Sequence, residues 1–357
     1  MKICVINSLY PPYHRGGAEV MAEKEVKQLR LEGHDVFVIT IRPWLAYKSL
    51  WPIVEELDGV RVYRFYPLNL FSFININKIS WWWRLPWHKI DLLNLHSYLV
   101  VKNILKQEQP DLVRTHNLKG IGYTVWRAIK NLKIKNVHTI HDVQLVVPSG
   151  LLKVGEERKL NNWFYKSYAA VCRLLIDSPM EVISPSQWLM DFYTSRGFFK
   201  HSVKTVDLAF GQLPLTKQLN LQPQKKVINL LYVGQIEEHK GILWLIRKLK
   251  NYELRITNYE LGNSFHLDIV GNGSKLNKVR KLVAGDERFK VWGWVPAEKL
   301  GGFFLTADFT VVPSLVYENS PTIITTSLGH KVPVIARKIG GIPELIKAGE
   351  TGWFLAD

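Results

Sequence analysis

The stretch Pro313-Ser-Leu-Val-Tyr-Glu-Asn-Ser-Pro321, running on to Val332-Pro-Val-Ile-Ala-Arg-Lys-Ile-Gly-Gly341, decides how this chain folds. With the apolar run just before it, the stretch reads as a strand over 309–312, a polar turn carrying the acid Glu318, a short helix, a strand over 332–336, and a second turn at Gly340-Gly341. Short apolar runs bounded by turn residues suit strands that are covered on both faces. Open α/β sheets bind ligands at the carboxyl ends of their strands, where such turns converge. Glu318, Asn319, Ser320 and the amides that open the next helix can grip hydroxyls and phosphate together.

The same pattern extends outward. Residues 2–7 read as an apolar strand and 8–17 as a turn-rich loop with Pro11, Pro12, Gly16 and Gly17. Over 18–32, Val20, Met21, Val26 and Leu29 recur among charges at roughly helical spacing. Gly33 suits the helix end, and 35–40 is the next strand. This is a βαβ unit, the opening of a doubly wound parallel sheet. Further strands are expected at 59–65, 112–115, 136–140 and 181–184, and helices at 96–108, 122–131 and 186–196. A Pro- and Gln-rich segment, 211–226, reads as a linker. Beyond it come a strand at 227–233, a loop at 234–241 and a helix, then a strand at 267–270, the turn Gly271-Asn272-Gly273, a helix at 276–283 and a strand at 289–292. The second half therefore repeats the architecture of the first.

At 357 residues the chain suits two α/β domains rather than one core. No apolar run is long enough to span a bilayer. Cys4 and Cys172 lie far apart with no CxxC pairing, and read as reduced, buried thiols of a cytosolic protein. A net charge of +16 draws anionic partners. No nucleic-acid module accompanies it, so nucleic acid is not an expected partner, and an anionic membrane surface is. The run Trp81-Trp82-Trp83-Arg84-Leu85-Pro86-Trp87-His88-Lys89 fits that expectation, because indole rings beside basic residues suit a membrane interface. The competing reading packs these rings into a helix interface or an acceptor pocket.

Four constellations can carry chemistry. Gly16 and Gly17 precede a helix start, where backbone amides can approach an anion, although a plain tight turn accounts for them equally. His141 follows a strand in Thr139-Ile140-His141-Asp142 and can hydrogen-bond a sugar hydroxyl. Ser186, in Ser184-Pro185-Ser186, suits a helix N-cap. Lys240 closes the loop that begins Gly234-Gln235 and can neutralise a diphosphate beside a helix start. The acids show no Asp-x-Asp pair and the histidines no ligand spacing, so no metal or other cofactor is expected.

Position by position, these segments resemble the retaining glycosyltransferases of family four, which have the GT-B fold: two Rossmann-like doubly wound domains facing each other across a cleft. The resemblance implies that Gly16 and Gly17 contact the donor and that His141-Asp142 is the family's His-Asp pair. It makes Lys240 the partner of the leaving diphosphate and places Glu318 beside the donor sugar, with Asn319 and Ser320 in the same loop. Two departures stand out. Gln235 occupies the place of an arginine. Thr326, eight positions after Glu318, occupies the place of the glutamate that grips the ribose hydroxyls. Gly340-Gly341-Ile342-Pro343-Glu344 resembles the family's following turn, and Gly271-Asn272-Gly273 its turn below the base.

The resemblance implies an acceptor-side domain over 1–210, the linker 211–226, and a nucleotide-sugar domain over 227–357 that lacks the family's further C-terminal helices. It implies a metal-independent hexosyl-type glycosyltransferase taking a UDP- or GDP-sugar and a glycan or lipid-linked acceptor. The expected setting is cell-envelope polysaccharide or glycolipid synthesis, in the cytoplasm or peripherally at the inner face of the plasma membrane. The alternative is a catalytically impaired scaffold of the same fold that binds a glycan or protein partner.

Overall fold

The computed structural model describes residues 1–13, 16–207, 227–251, 255–256, 259–260 and 265–355; the expected linker, 211–226, lies outside them. The chain divides into two compact units. One comprises Met1–Leu151, Arg158–Ser184 and Leu189–Asp207; the other comprises Leu152–Glu157, Pro185–Trp188 and the described residues within Leu208–Asp357.

In chain order the first part holds β1 (Lys2–Ile6), α1 (Gly17–Leu31), β2 (Asp35–Ile41), β3 (Ile53–Leu57), β4 (Val60–Phe65), α2 (Trp81–Leu92), α3 (Leu95–Glu108), β5 (Leu112–Thr115), α4 (Val125–Asn131), β6 (Lys135–Thr139), α5 (Trp163–Ile176), β7 (Glu181–Ser184), α6 (Gln187–Thr194) and β8 (Val203–Val206). The sheet order is β3-β4-β2-β1-β5-β6-β7-β8. All pairings are parallel except β3 with β4. β1 and β2 are buried almost end to end because helices cover both faces of a parallel sheet. Ala22, Val26 and Leu29 of α1 pack down at helical spacing beside this sheet.

Two local expectations are corrected. The strand expected at 59–65 is one arm of a hairpin: Asp58 and Gly59 both take positive φ, 50° and 72°, as a two-residue turn demands. Its other arm, β3, forms an exposed sheet edge. The helix expected from 122 begins at Val125, since Gly122 takes φ 107° outside it.

The second part holds β9 (Ile228–Val233), α7 (Ile242–Lys250), the two-residue strands β10 (Arg255–Ile256) and β11 (Tyr259–Glu260), β12 (Phe265–Val270), α8 (Leu276–Val283), β13 (Phe289–Gly293), α9 (Ala297–Thr306), β14 (Phe309–Val312), α10 (Thr322–Gly329), β15 (Val334–Ala336), α11 (Ile342–Leu345) and β16 (Gly352–Phe354). Here the order is β13-β12-β9-β14-β15-β16, parallel throughout. Ile242, Leu245, Ile246 and Leu249 recur at helical spacing and bury one stripe of α7 in a core with Leu230, Leu267 and Ile269.

Candidate active site

In the second sheet the chain leaves β9 for β12 and β13 on one side, then returns to β14 on the other. The order therefore reverses between β9 and β14, and the loops after these two strands flank the crevice where open α/β sheets hold ligands. Lys240 comes from the first loop and Glu318 from the second. Lys240 Nζ lies 2.7 Å from Glu318 Oε1, and Ser314 Oγ donates to the same oxygen at 2.9 Å. Burial pushes the Glu318 carboxyl up, but Lys240 and Ser314 outweigh it, so its pKa lies below the usual carboxylate range. The pair therefore holds both charges at the crevice. The ammonium brings three donors, and the bond to Glu318 uses one.

Backbone packing fixes these loops. Gly241 takes φ 77°, and a Cβ there would lie 1.9 Å from Pro313 O, so only glycine lets the Lys240 loop pass over the end of β14. Leu315 N donates to His239 O at 2.8 Å across the same contact. Gly340, at φ 59°, brings the next turn against the backbone of Glu318: a Cβ would lie 2.1 Å from Glu318 O, which accepts from Gly341 N at 2.9 Å. The turn at 271–273 is tied in as well, with Ile236 N donating to Asn272 O at 2.8 Å. Glycine-rich turns far apart in sequence thus seat the two loops that carry the charged pair.

The remaining expected residues fall around the pair in different ways. Gln235 is exposed, and its carbonyl accepts from Tyr232 Oη at 2.7 Å. Asn319 is buried, with its Oδ1 bonded to Ser186 Oγ. Ser320 is half-buried just before α10. That helix opens after Pro321 without a capping side chain, which leaves its first amides to serve an acceptor. Thr326 is exposed on α10, and its hydroxyl donates back to Thr322 O at 2.9 Å. Its short side chain is turned onto its own helix.

Ser186 immediately precedes α6. The carboxylate of Glu344 meets the first amides of this helix, accepting from Gln187 N at 2.6 Å and Trp188 N at 2.7 Å. An acid suits this place because it meets both these amides and the positive end of the helix dipole.

In the first unit the order reverses between β1 and β5. The ends of β1, β5 and β6 are laced together there: Ser8 Oγ donates to Asn117 O and Lys119 O, each at 2.6 Å, and Gln144 Nε2 donates to Asn117 Oδ1 at 2.5 Å. Gly16 and Gly17 are exposed at the start of α1. The Gly16 amide is already engaged, donating to Glu19 Oε2 at 2.8 Å, so the later amides of α1's first turn are the ones left to an anion. His141 stands just past β6, with Nε2 2.9 Å from His116 Nδ1. Burial, with His116 and His138 nearby, holds its pKa well below the usual value, so its ring is neutral. His116 and its neighbour Glu25 escaped the sequence reading. The only signal was a histidine directly after a strand, in Thr115-His116-Asn117.

The tryptophan run divides between its two readings. Trp87 is buried among Phe71 and Phe73, with Nε1 donating to Phe71 O at 2.8 Å. Trp82 and Trp83 are 65% and 62% exposed on α2. Among the described residues, no group of three or more His, Cys, Asp or Glu side chains is placed to hold a metal ion. Among the same residues, no helix is long and apolar enough to cross a membrane.

Two Rossmann-like parallel-sheet units, the second with a charged pair at its switch point, define a GT-B-type α/β protein. The chain belongs to the glycosyltransferases: the family model Glycosyltransferase Family 4 matches residues 15–206, and that of Glycosyl transferases group 1 matches 228–357. It is 25% identical to an uncharacterized 42.6 kDa protein in the cps region of Klebsiella pneumoniae, over 100% of this chain and 90% of that one. It is 24% identical to a putative teichuronic acid biosynthesis glycosyltransferase of Bacillus subtilis, over 97% and 83% of the two chains. Among solved structures, Anabaena HepE in complex with UDP is similar with a TM-score of 0.65 at 18% identity, over 99% of this chain and 85% of that one.

Proposed function

We propose that this glycosyltransferase moves a hexosyl group from a UDP- or GDP-sugar to a hydroxyl of a glycan or lipid-linked acceptor, without a metal and with retention at the anomeric carbon. The observation that carries the reading is the Lys240–Glu318 pair at the β9/β14 switch point. Lys240 and the first amides of α10 stabilise the leaving diphosphate, a role that needs no divalent ion. Glu318 accepts donor-sugar hydroxyls and keeps Lys240 in place. Asn319, Ser320 and Gln235 complete the donor loops, with Thr326 toward the ribose. In the first domain, 1–210, Gly16 and Gly17 offer an anion the amides at the start of α1, and His141 bonds a sugar hydroxyl. The nucleotide-sugar domain is 227–357, and 211–226 is the linker.

The setting follows from the relatives: a cps-region protein and a teichuronic acid enzyme support cell-envelope polysaccharide or glycolipid synthesis. The exposed Trp82 and Trp83, with a net charge of +16, support peripheral attachment at an anionic inner membrane face. The complex of HepE with UDP makes uridine donors the first to test. A thermal-shift screen with UDP-, GDP- and ADP-sugars should show stabilisation by one nucleotide class. A folded protein that responds to none contradicts the reading. The anomeric configuration of the product, read by NMR, decides retention.

A further inference from the structure

Glu318 is fixed along its backbone by partners from elsewhere in the second unit. Gly341 N donates to its carbonyl at 2.9 Å, and the preceding residue is tied down as well, with Tyr317 N donating to Leu152 O at 2.9 Å. The Tyr317 ring stacks on Trp188 at 5.2 Å and 2°, and its hydroxyl donates to Glu157 Oε1 at 2.6 Å. With the backbone held, side-chain torsions decide where the carboxylate faces. The last torsion of a glutamate is soft and roughly two-fold. A flexible ammonium such as Lys240 would by itself hold the group without setting its plane.

Ser314 supplies the second constraint. It is 1% exposed, just past the end of β14. Its hydroxyl has one hydrogen and three oxygens in reach: Glu318 Oε1 at 2.9 Å, Val316 O at 3.3 Å and His239 O at 3.4 Å. The carboxylate oxygen is the nearest and carries charge, so it takes the hydrogen. Lys240 Nζ meets the same atom at 2.7 Å. Oε1 therefore accepts from two loops, one after β9 and one after β14. Among the described residues nothing bonds to Oε2, and this oxygen is not a buried atom. A carboxylate has about four acceptor sites, so those of Oε2 remain open.

We propose that Ser314 is a positioning residue: by sharing Oε1 with Lys240 it sets the plane of the Glu318 carboxylate, so that Oε2 is the oxygen that accepts hydroxyls of the donor sugar. The clamp on Oε1 is independent of any ligand; its use on a sugar rests on the proposed role of Glu318. Without Ser314 the carboxylate can turn both oxygens toward Lys240. The sugar then loses a directed acceptor, while the diphosphate keeps its lysine.

Two measurements on the full chain test this. Without ligand, urea unfolding of Ser314→Ala, Glu318→Ala and the double variant reads their coupling: the double variant should lose less stability than the two single losses summed. Additive losses overturn the clamp. With ligand, calorimetry compares the sugar nucleotide that responds most in the thermal-shift screen with its own nucleoside diphosphate, UDP or GDP. Ser314→Ala should weaken the sugar nucleotide roughly five- to tenfold relative to the diphosphate, the size of one hydrogen bond. A general loosening of the loop would weaken both alike. In the Glu318→Ala background, Ser314→Ala should leave the ratio of the two affinities where Glu318→Ala alone puts it. A wild-type ratio in Ser314→Ala, or a further shift in the double variant, overturns the proposal. Should Ser314→Ala not fold, Ser314→Cys, similar in shape and a weak donor, must move the ratio the same way, and an unmoved ratio overturns the proposal. A protein that answers no nucleotide, or a Glu318→Ala with the wild-type ratio, refutes the sugar contact itself, while the unfolding cycle decides the clamp.

Discussion

Lys240 and Glu318 balance one another before any ligand arrives. Removing the lysine leaves a carboxylate, 16% exposed, with Ser314 as its remaining named donor. Lys240→Ala should therefore cost about 1–3 kcal/mol of unfolding free energy in urea titrations without ligand. Thr326 makes the opposite case. Its hydroxyl is spent on Thr322 O, while the position itself is exposed on α10. A glutamate there has room to extend, and Thr326→Glu should tighten donor binding about tenfold, the worth of a charge-assisted hydrogen bond. Unchanged affinity by calorimetry contradicts the placement of the ribose. Lys240 was legible in the sequence from its place between Gly234 and Gly241, and Thr326 from its offset of eight positions after Glu318. Glu25 and His116 were not, because a hydrogen bond between residues 91 positions apart leaves no local pattern.

At the scale of elements, the glycines are joints between loops. A methyl at Gly241 would meet Pro313 O, which is backbone and cannot swing aside. Gly241→Ala should lower Tm by several degrees, as a loss of about 2 kcal/mol implies, and should abolish the thermal response to donor. Asp91, near the end of α2, gives a pH dependence. Both of its carboxylate oxygens lie 3.0 Å from Gly120 N. Burial pushes its pKa from 3.8 up to about 7, with Gly120 and Lys119 pulling the other way. The folded state thus holds this proton more tightly than the unfolded chain. Its contribution is fully present below the unfolded value and is lost as pH rises through about 7. Wild-type stability should fall between about pH 5 and pH 7.5 by a few kcal/mol more than that of Asp91→Asn, measured by urea unfolding at both values. Equal falls contradict it. Element positions were largely readable from apolar periodicity. Helix starts were less so, because a group that meets a helix's first amides can come from far along the chain: beside the local Ser186, Glu344 accepts from the amides of Gln187 and Trp188.

For the whole molecule, the reversals in strand order turn a list of motifs into sites. Alternating strands and helices predicted two parallel sheets, but not that β9 lies beside β14, which places Lys240 and Glu318 on one crevice. The tryptophan run shows the same limit. The sequence allowed a buried or an interfacial cluster, and the fold puts Trp87 in the core while exposing Trp82 and Trp83. Replacing that exposed pair with serine should weaken binding to vesicles rich in anionic lipid and leave stability nearly unchanged. The most direct test of the account is calorimetric titration of wild type and Lys240→Ala with the nucleoside diphosphate of the responding donor and with its nucleoside alone. The account predicts that the diphosphate binds the variant at least about tenfold more weakly while the nucleoside binds both alike. A folded Lys240→Ala protein that binds the diphosphate as tightly as the wild type would contradict it.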